Sequence, residues 1–174
     1  MKHLCLLILM FSSFHVDATA RFTELNYGPN HLDLNSDGMA DVVFYSNFDN
    51  NTSHPDPALS VYIKNHDATY SIVPIPSGDR FTLFGVNVSV SNVLLRSFGL
   101  IHTSKGVYLV ISIKTGNSPH LNQFFKFRLY RIESNTAYPG VPLYSWVKQG
   151  EKTSKNQYMS ADEAIRECLQ TCFE

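Results

Sequence analysis

From residue 21 to residue 148 the chain is a run of short segments in which apolar and polar residues alternate. Gly, Pro, Asn, Asp or Ser cuts them apart every few positions. Successive side chains of a strand point to opposite faces, so this pattern builds half-buried strands and is incompatible with a helical bundle. Val86, Val88 and Val90 alternate with Asn87 and Ser89, and Phe125, Phe127 and Leu129 alternate with Lys126 and Arg128. Further strands are expected at 22–25, 31–34, 40–46, 59–64, 70–75, 93–102, 107–114 and 143–148. Tyr27-Gly28-Pro29-Asn30 reads as a turn between the first two. Residues 47–57, rich in Asn, Asp, Ser and Pro, read as a loop, and 65–68 and 103–106 as hairpin turns. Only the tail has helical spacing. Ala161, Ile165, Cys168 and Cys172 form one apolar stripe, and Ser160 with Glu163 makes a capping box, placing a helix within 160–172. The expected fold is mainly β, an antiparallel β-sandwich or open barrel with one C-terminal α-helix on an edge or face. No repeat of propeller length is present.

The first twenty residues have the form of an export signal. Met1-Lys2-His3 is basic, residues 4–14 are apolar, and Asp17-Ala18-Thr19-Ala20 ends in an A-x-A cleavage pattern. Removing 20 of the 174 residues leaves 154, one domain of ordinary size, expected to be periplasmic or secreted. No later apolar run is long enough to span a bilayer, so membrane insertion is not expected. Residues 21–67 carry seven acids against two bases, whereas residues 80–132 carry seven bases and no acid. An acidic half suits a cation and a basic half suits an anionic partner. The bases are spread singly along strands, which argues against nucleic acid.

The densest group of oxygen ligands is Asp33-Leu34-Asn35-Ser36-Asp37-Gly38-Met39-Ala40-Asp41, leading into Val42-Val43-Phe44. Its first six positions match an EF-hand loop, but Phe44 stands where a bidentate Glu belongs and a β-branched run follows in place of a helix. The pattern D-x-[DN]-x-D-G-x-x-D between two strands fits better. On that reading Asp33, Asn35, Asp37, Met39 and Asp41 are the ligands of a weak calcium site. The alternative is a tight Asx turn that needs no ion, since the same residues favour turns. Downstream, Asp49, Asn50 and His54 lie in a polar loop and are candidates to brace the acidic loop or to bind. Asn50 and Asn51 each begin an N-x-[ST] sequon.

Catalytic signals are weak. The histidines after residue 20 show no zinc-ligand spacing, and neither an S-x-x-K nor a G-x-S-x-G motif is present. Cys168 and Cys172 share the helix stripe, four residues apart, near the limit of disulfide reach. A bridge and a pair of buried thiols both remain open at this point.

The export signal, the loop Asp33-Leu34-Asn35-Ser36-Asp37-Gly38 with Asp41, the following strand, and Asp49-Asn50-x-x-x-His54 together resemble the CarG-type carbapenem self-resistance family. That family carries D-L-N-G-D-G-x-x-D and D-N-x-x-x-H at similar spacing. Ser36 departs from its usual Gly, and Pro55-Asp56-Pro57 and the two C-terminal cysteines have no counterpart in the pattern. The resemblance implies a periplasmic, non-enzymatic protein that protects the cell by binding a cell-envelope protein or the antibiotic itself. It does not specify an oligomeric state. The alternative is a calcium-stabilised secreted adhesion or inhibitor module, of lysozyme-inhibitor type.

Overall fold

The computed structural model describes residues 20–76, 78 and 80–173. The expected signal peptide lies outside the described residues except for Ala20. In chain order the first strands are β1 (Arg21–Phe22), β2 (Gly28–Leu32), β3 (Asp41–Phe48), β4 (Asp56–Lys64), β5 (Tyr70–Ile72), β6 (Thr82–Phe84) and β7 (Val86–Val88). Then come β8 (Ser91–Thr103), β9 (Gly106–Lys114), β10 (Phe125–Ser134), β11 (Tyr144–Thr153) and the helix α1 (Ala161–Thr171). One antiparallel sheet has the order β1-β8-β9-β10-β11, with β7 also paired to β8. The other has the order β2-β3-β4-β5, with β6 also paired to β4. The sheets face each other as a sandwich, and α1 covers the outer face of the first.

The chain therefore makes two cores. Between the sheets, Val43, Leu59, Val61 and Ile63 meet Leu100, Leu109, Ile111 and Ile132. Behind the first sheet, Ile101, Val110, Phe125 and Phe127 meet Ala161, Ala164, Ile165 and Cys168. β9 is shared by both cores, and its near-continuous apolar run is what a strand covered on both faces requires.

Four sequence expectations need correction. Residues 28–30 are strand and not turn. The Asn30 side chain accepts from Asn26 N–H and donates to Asn26 C=O, each at 2.8 Å, so the bend is confined to Asn26 and Tyr27. Gly28 takes φ +97°, which glycine adopts freely. The loop after β3 is shorter than 47–57, because Asn47 and Phe48 pair with Pro57 and Asp56. β11 runs five residues past the expected end, paired to β10 along its length. Its final residues are polar on both faces and so lack the alternation that marks a strand. Finally, the capping box does not close. Ser160 is the N-cap, but its hydroxyl accepts from Leu94 N–H at 3.0 Å and donates to the Asp162 carboxylate, joining the helix start to β8 instead.

Candidate functional site

The acidic loop joins β2 to β3 and is folded by its own side chains. Asp33 accepts from Asp37 N–H at 3.2 Å and from Gly38 N–H at 3.0 Å. Asn35 Oδ1 accepts from Asp37 N–H, Asp37 Oδ1 accepts from Met39 N–H, and Asn35 Nδ2 donates to Asp37 Oδ2. These are Asx turns, and they tolerate Ser36 at φ +64° and Gly38 at φ +83°. Asp41 does not join the other four expected ligands. It is fully buried, and its two oxygens accept from Leu34 N–H and Lys64 N–H, both at 2.9 Å. Burial pushes its carboxyl above the ordinary aspartate range. The two backbone bonds pull it back, and the charges of Asp37 and Asp33 add to the rise. Among the described residues no three acids, histidines or cysteines gather in a way that could hold a metal.

Asp49, Asn50 and His54 lie at the other end of β3. Eight strand residues at ~3.3 Å each put them roughly 26 Å from the acidic loop, so they cannot brace it. Their loop is held internally. Asp49 accepts from Asn51 N–H, Asn50 accepts from Thr52 N–H and Oγ1, and Thr52 Oγ1 donates to the His54 carbonyl.

What the acidic loop does touch is the β8–β9 turn. A Cβ placed on Gly106 would stand 3.4 Å from both Ser36 Oγ and Arg131 Nη2, and Gly106 itself takes φ +107°. Beyond that turn an open cleft of about 930 Å³ lies between α1 and the β10–β11 edge of the first sheet. Tyr108 and Leu129 form its apolar floor, and Leu169 and Phe173 its helical wall. The rings of Tyr108 and Phe173 meet edge-on at 5.1 Å. A register shift opposes Leu129 to Gly150 but Tyr130 to Lys148, leaving Gln149 as an extra residue. Gly150, beside this bulge, has open space where a side chain would be.

The basic half of the sequence resolves into different roles. Lys126 and Arg128, with Lys148, bind Glu151 at 3.0–3.2 Å, and hydrogen bonds from Lys148 and Lys126 hold its carboxyl down to about 2. Arg96 donates to the Phe84 carbonyl. Lys114 is buried and donates to the carbonyls of Pro119 and Met159, both at 2.8 Å, and burial lowers its pKa. Arg131 lies over the Tyr108 ring at 5.6 Å. Lys105, Lys152 and Arg166 line the cleft. Among the described residues neither they nor Arg131 has a carboxylate within salt-bridge reach.

The helical wall is set by a residue that sequence reasoning passed over. Glu167, buried beside the stripe, accepts from Lys155 N–H at 2.6 Å, Asn156 N–H and Nδ2 at 3.1 Å, and Tyr158 O–H at 2.9 Å. A glutamate next to an apolar stripe looks like the start of the solvated face, and nothing in the periodicity shows four donors arriving from residues 155–158. Cys168 and Cys172 are joined as a disulfide with Cα atoms 4.8 Å apart, closing the end of α1 at the cleft.

The architecture is that of a two-sheet antiparallel sandwich backed by one C-terminal helix, with its surface chemistry at the β8–β9 end. The family model described as "Carbapenem resistance protein CarG-like" matches residues 25–167. A solved structure described as "Crystal structure of CarG" superposes with a TM-score of 0.81 at 36% identity, covering 84% of this chain and 94% of that one. The chain belongs to the CarG-like carbapenem resistance family. Among curated proteins none matches it.

Proposed function

We propose that the chain is an exported, non-enzymatic protein that protects the cell from carbapenems by binding a periplasmic or cell-envelope component, or the antibiotic, without hydrolysing it. Family membership supplies the link to carbapenems. The observation that carries the binding reading is the chemistry of the large cleft. It presents the cations Lys105 and Arg166, with Lys152 held at the Thr171 carbonyl, around an aromatic and aliphatic floor, a composition suited to holding a ligand. Ser104 and Thr103 at its rim have no histidine among the lining residues to act as their base, and Cys172 is held in the disulfide. The test is incubation of purified protein with a carbapenem while its β-lactam absorbance is followed. No protein-dependent loss is expected, and a loss that scales with protein concentration would overturn the non-enzymatic reading. Mass spectrometry of periplasmic protein checks export, with an N-terminus at Arg21 expected.

A further inference from the structure

We propose that the cleft between α1 and the β10–β11 edge is a docking site for an extended acidic segment of a partner protein. The inference deepens the binding reading and rests on it. Its first support is the spacing of the cations. Lys152 pairs with Phe127, which pairs with Ser112 on β9, so these three share one rung. Lys105 lies seven residues back along the chain from Ser112, which at ~3.3 Å per strand residue is about 23 Å away. Arg131, over Tyr108, falls between them on the helix-covered face, because it is two residues on from Leu129. A small organic acid with one carboxylate could meet one of these cations. An extended peptide of about seven residues passes all of them, with acidic side chains on the rim and apolar ones against Tyr108, Leu129 and Phe173.

The second support is the charge of the surroundings. Among the described residues the one carboxylate that lines the cleft is Glu151, and it already holds Lys126, Arg128 and Lys148 in place of the rim cations. At the Lys105 end the acidic loop stands beside Gly106 and Arg131 through Ser36. An acidic segment is attracted along the cleft and repelled at that end, which fixes how far it extends. The open space beside Gly150 leaves room for a side chain of the segment.

The test is fluorescence anisotropy of a dye-labelled decapeptide of alternating Glu and Tyr, titrated with the purified chain at low salt. Binding that weakens with added salt is expected. Charge reversal of two rim cations, Lys105→Glu with Arg166→Glu, should weaken it by about tenfold or more. The same reversal at two exposed or half-exposed cations elsewhere, Arg80→Glu with Lys64→Glu, should change it less than about twofold. Phe173→Ala should weaken binding without altering its salt dependence. Melting curves near wild type for the charge variants show that the fold is intact. Equal weakening by both pairs would reduce the effect to net charge and overturn the proposal. So would no binding of the peptide, or its full displacement by 4-hydroxyphenylacetate, which would make the cleft a small-anion site. None of these results bears on carbapenem turnover, so the docking site and the non-enzymatic reading fail separately.

Discussion

Replacing Glu167 by Gln tests whether one buried carboxylate holds the helix, and with it one wall of the cleft. The carboxylate accepts four hydrogen bonds from the backbone and side chains of residues 155–158. A glutamine offers one oxygen and one NH2. With its oxygen toward the three donors on the Oε2 side, its NH2 faces Lys155 N–H, leaving a buried donor unmet at a cost of ~1–3 kcal/mol. The three remaining bonds lose their charge assistance, each weakening to roughly half. Together the loss is about 3 kcal/mol, which for a chain of this size lowers the melting temperature by roughly 6–12 °C. Burial alone would raise the Glu167 carboxyl, but the bonds from Lys155, Tyr158 and Asn156 outweigh it and hold it below the ordinary 4.5. A depressed folded pKa means that the unfolded chain takes up the proton first. The clamp is therefore fully present above about pH 4.5 and is lost as pH falls through the folded value. Thermal melts of wild type and Glu167→Gln at pH 7, and again between about pH 5 and pH 3, measure both effects. Equal melting temperatures at pH 7 would refute the argument, and so would a gap that does not close on acidification.

Ile165→Asp places a charge with no partner in the core between α1 and the first sheet, where Ile165 is 6% exposed. A loss of about 3–5 kcal/mol is expected in denaturant titration, and an unchanged midpoint would mean the helix does not dock. The acidic loop is shaped by Asx hydrogen bonds, and Asp41 is committed to Leu34 and Lys64. Melting curves in millimolar calcium and in EDTA should therefore coincide, whereas a rise with calcium that Asp37→Asn blunts would restore the loop to a ligand set. Gly85→Ala brings a methyl within 2.5 Å of the rigid Pro57 ring and 3.2 Å of the Arg96 carbonyl. It should destabilise by ~1–3 kcal/mol in the same titration, and a neutral effect would show that β4 and the 85–86 segment can part.

Several features of the fold were legible because they depend on local periodicity. Alternation marked most of the strands, and the stripe from Ala161 to Cys172 marked the helix and the face it buries. Where a segment owes its state to a partner, the pattern misled. The last residues of β11 are strand only because β10 supplies their hydrogen bonds, and Asn30 turned an apparent bend into a strand by moving the bend upstream. The acidic loop was recognised as a unit, but its ligand geometry was not, since the direction of the Asp41 side chain depends on Lys64, distant in sequence. The expected bracing from Asp49, Asn50 and His54 failed for a similar reason. Twelve to twenty-one residues from Asp33 or Asp37 look close along a chain, but an intervening strand carries them to opposite ends of the sheet.

The sequence by itself determined an antiparallel β domain with one amphipathic helix, an acidic turn, and the separation of acidic from basic halves. These follow from residue spacing and composition, which act over a few neighbours. Only the tertiary structure decided which basic residues are spent and which are left. Lys126 and Arg128 are taken up by Glu151, Lys114 by two carbonyls, and Arg96 by a third. Lys152 is tied to the Thr171 carbonyl at the rim of the cleft that Lys105 and Arg166 also line, and Arg131 lies beside that cleft over the Tyr108 ring. Charge pairing depends on distances of a few ångströms between strands far apart in the chain, and those distances exist only once the two sheets and the helix have packed.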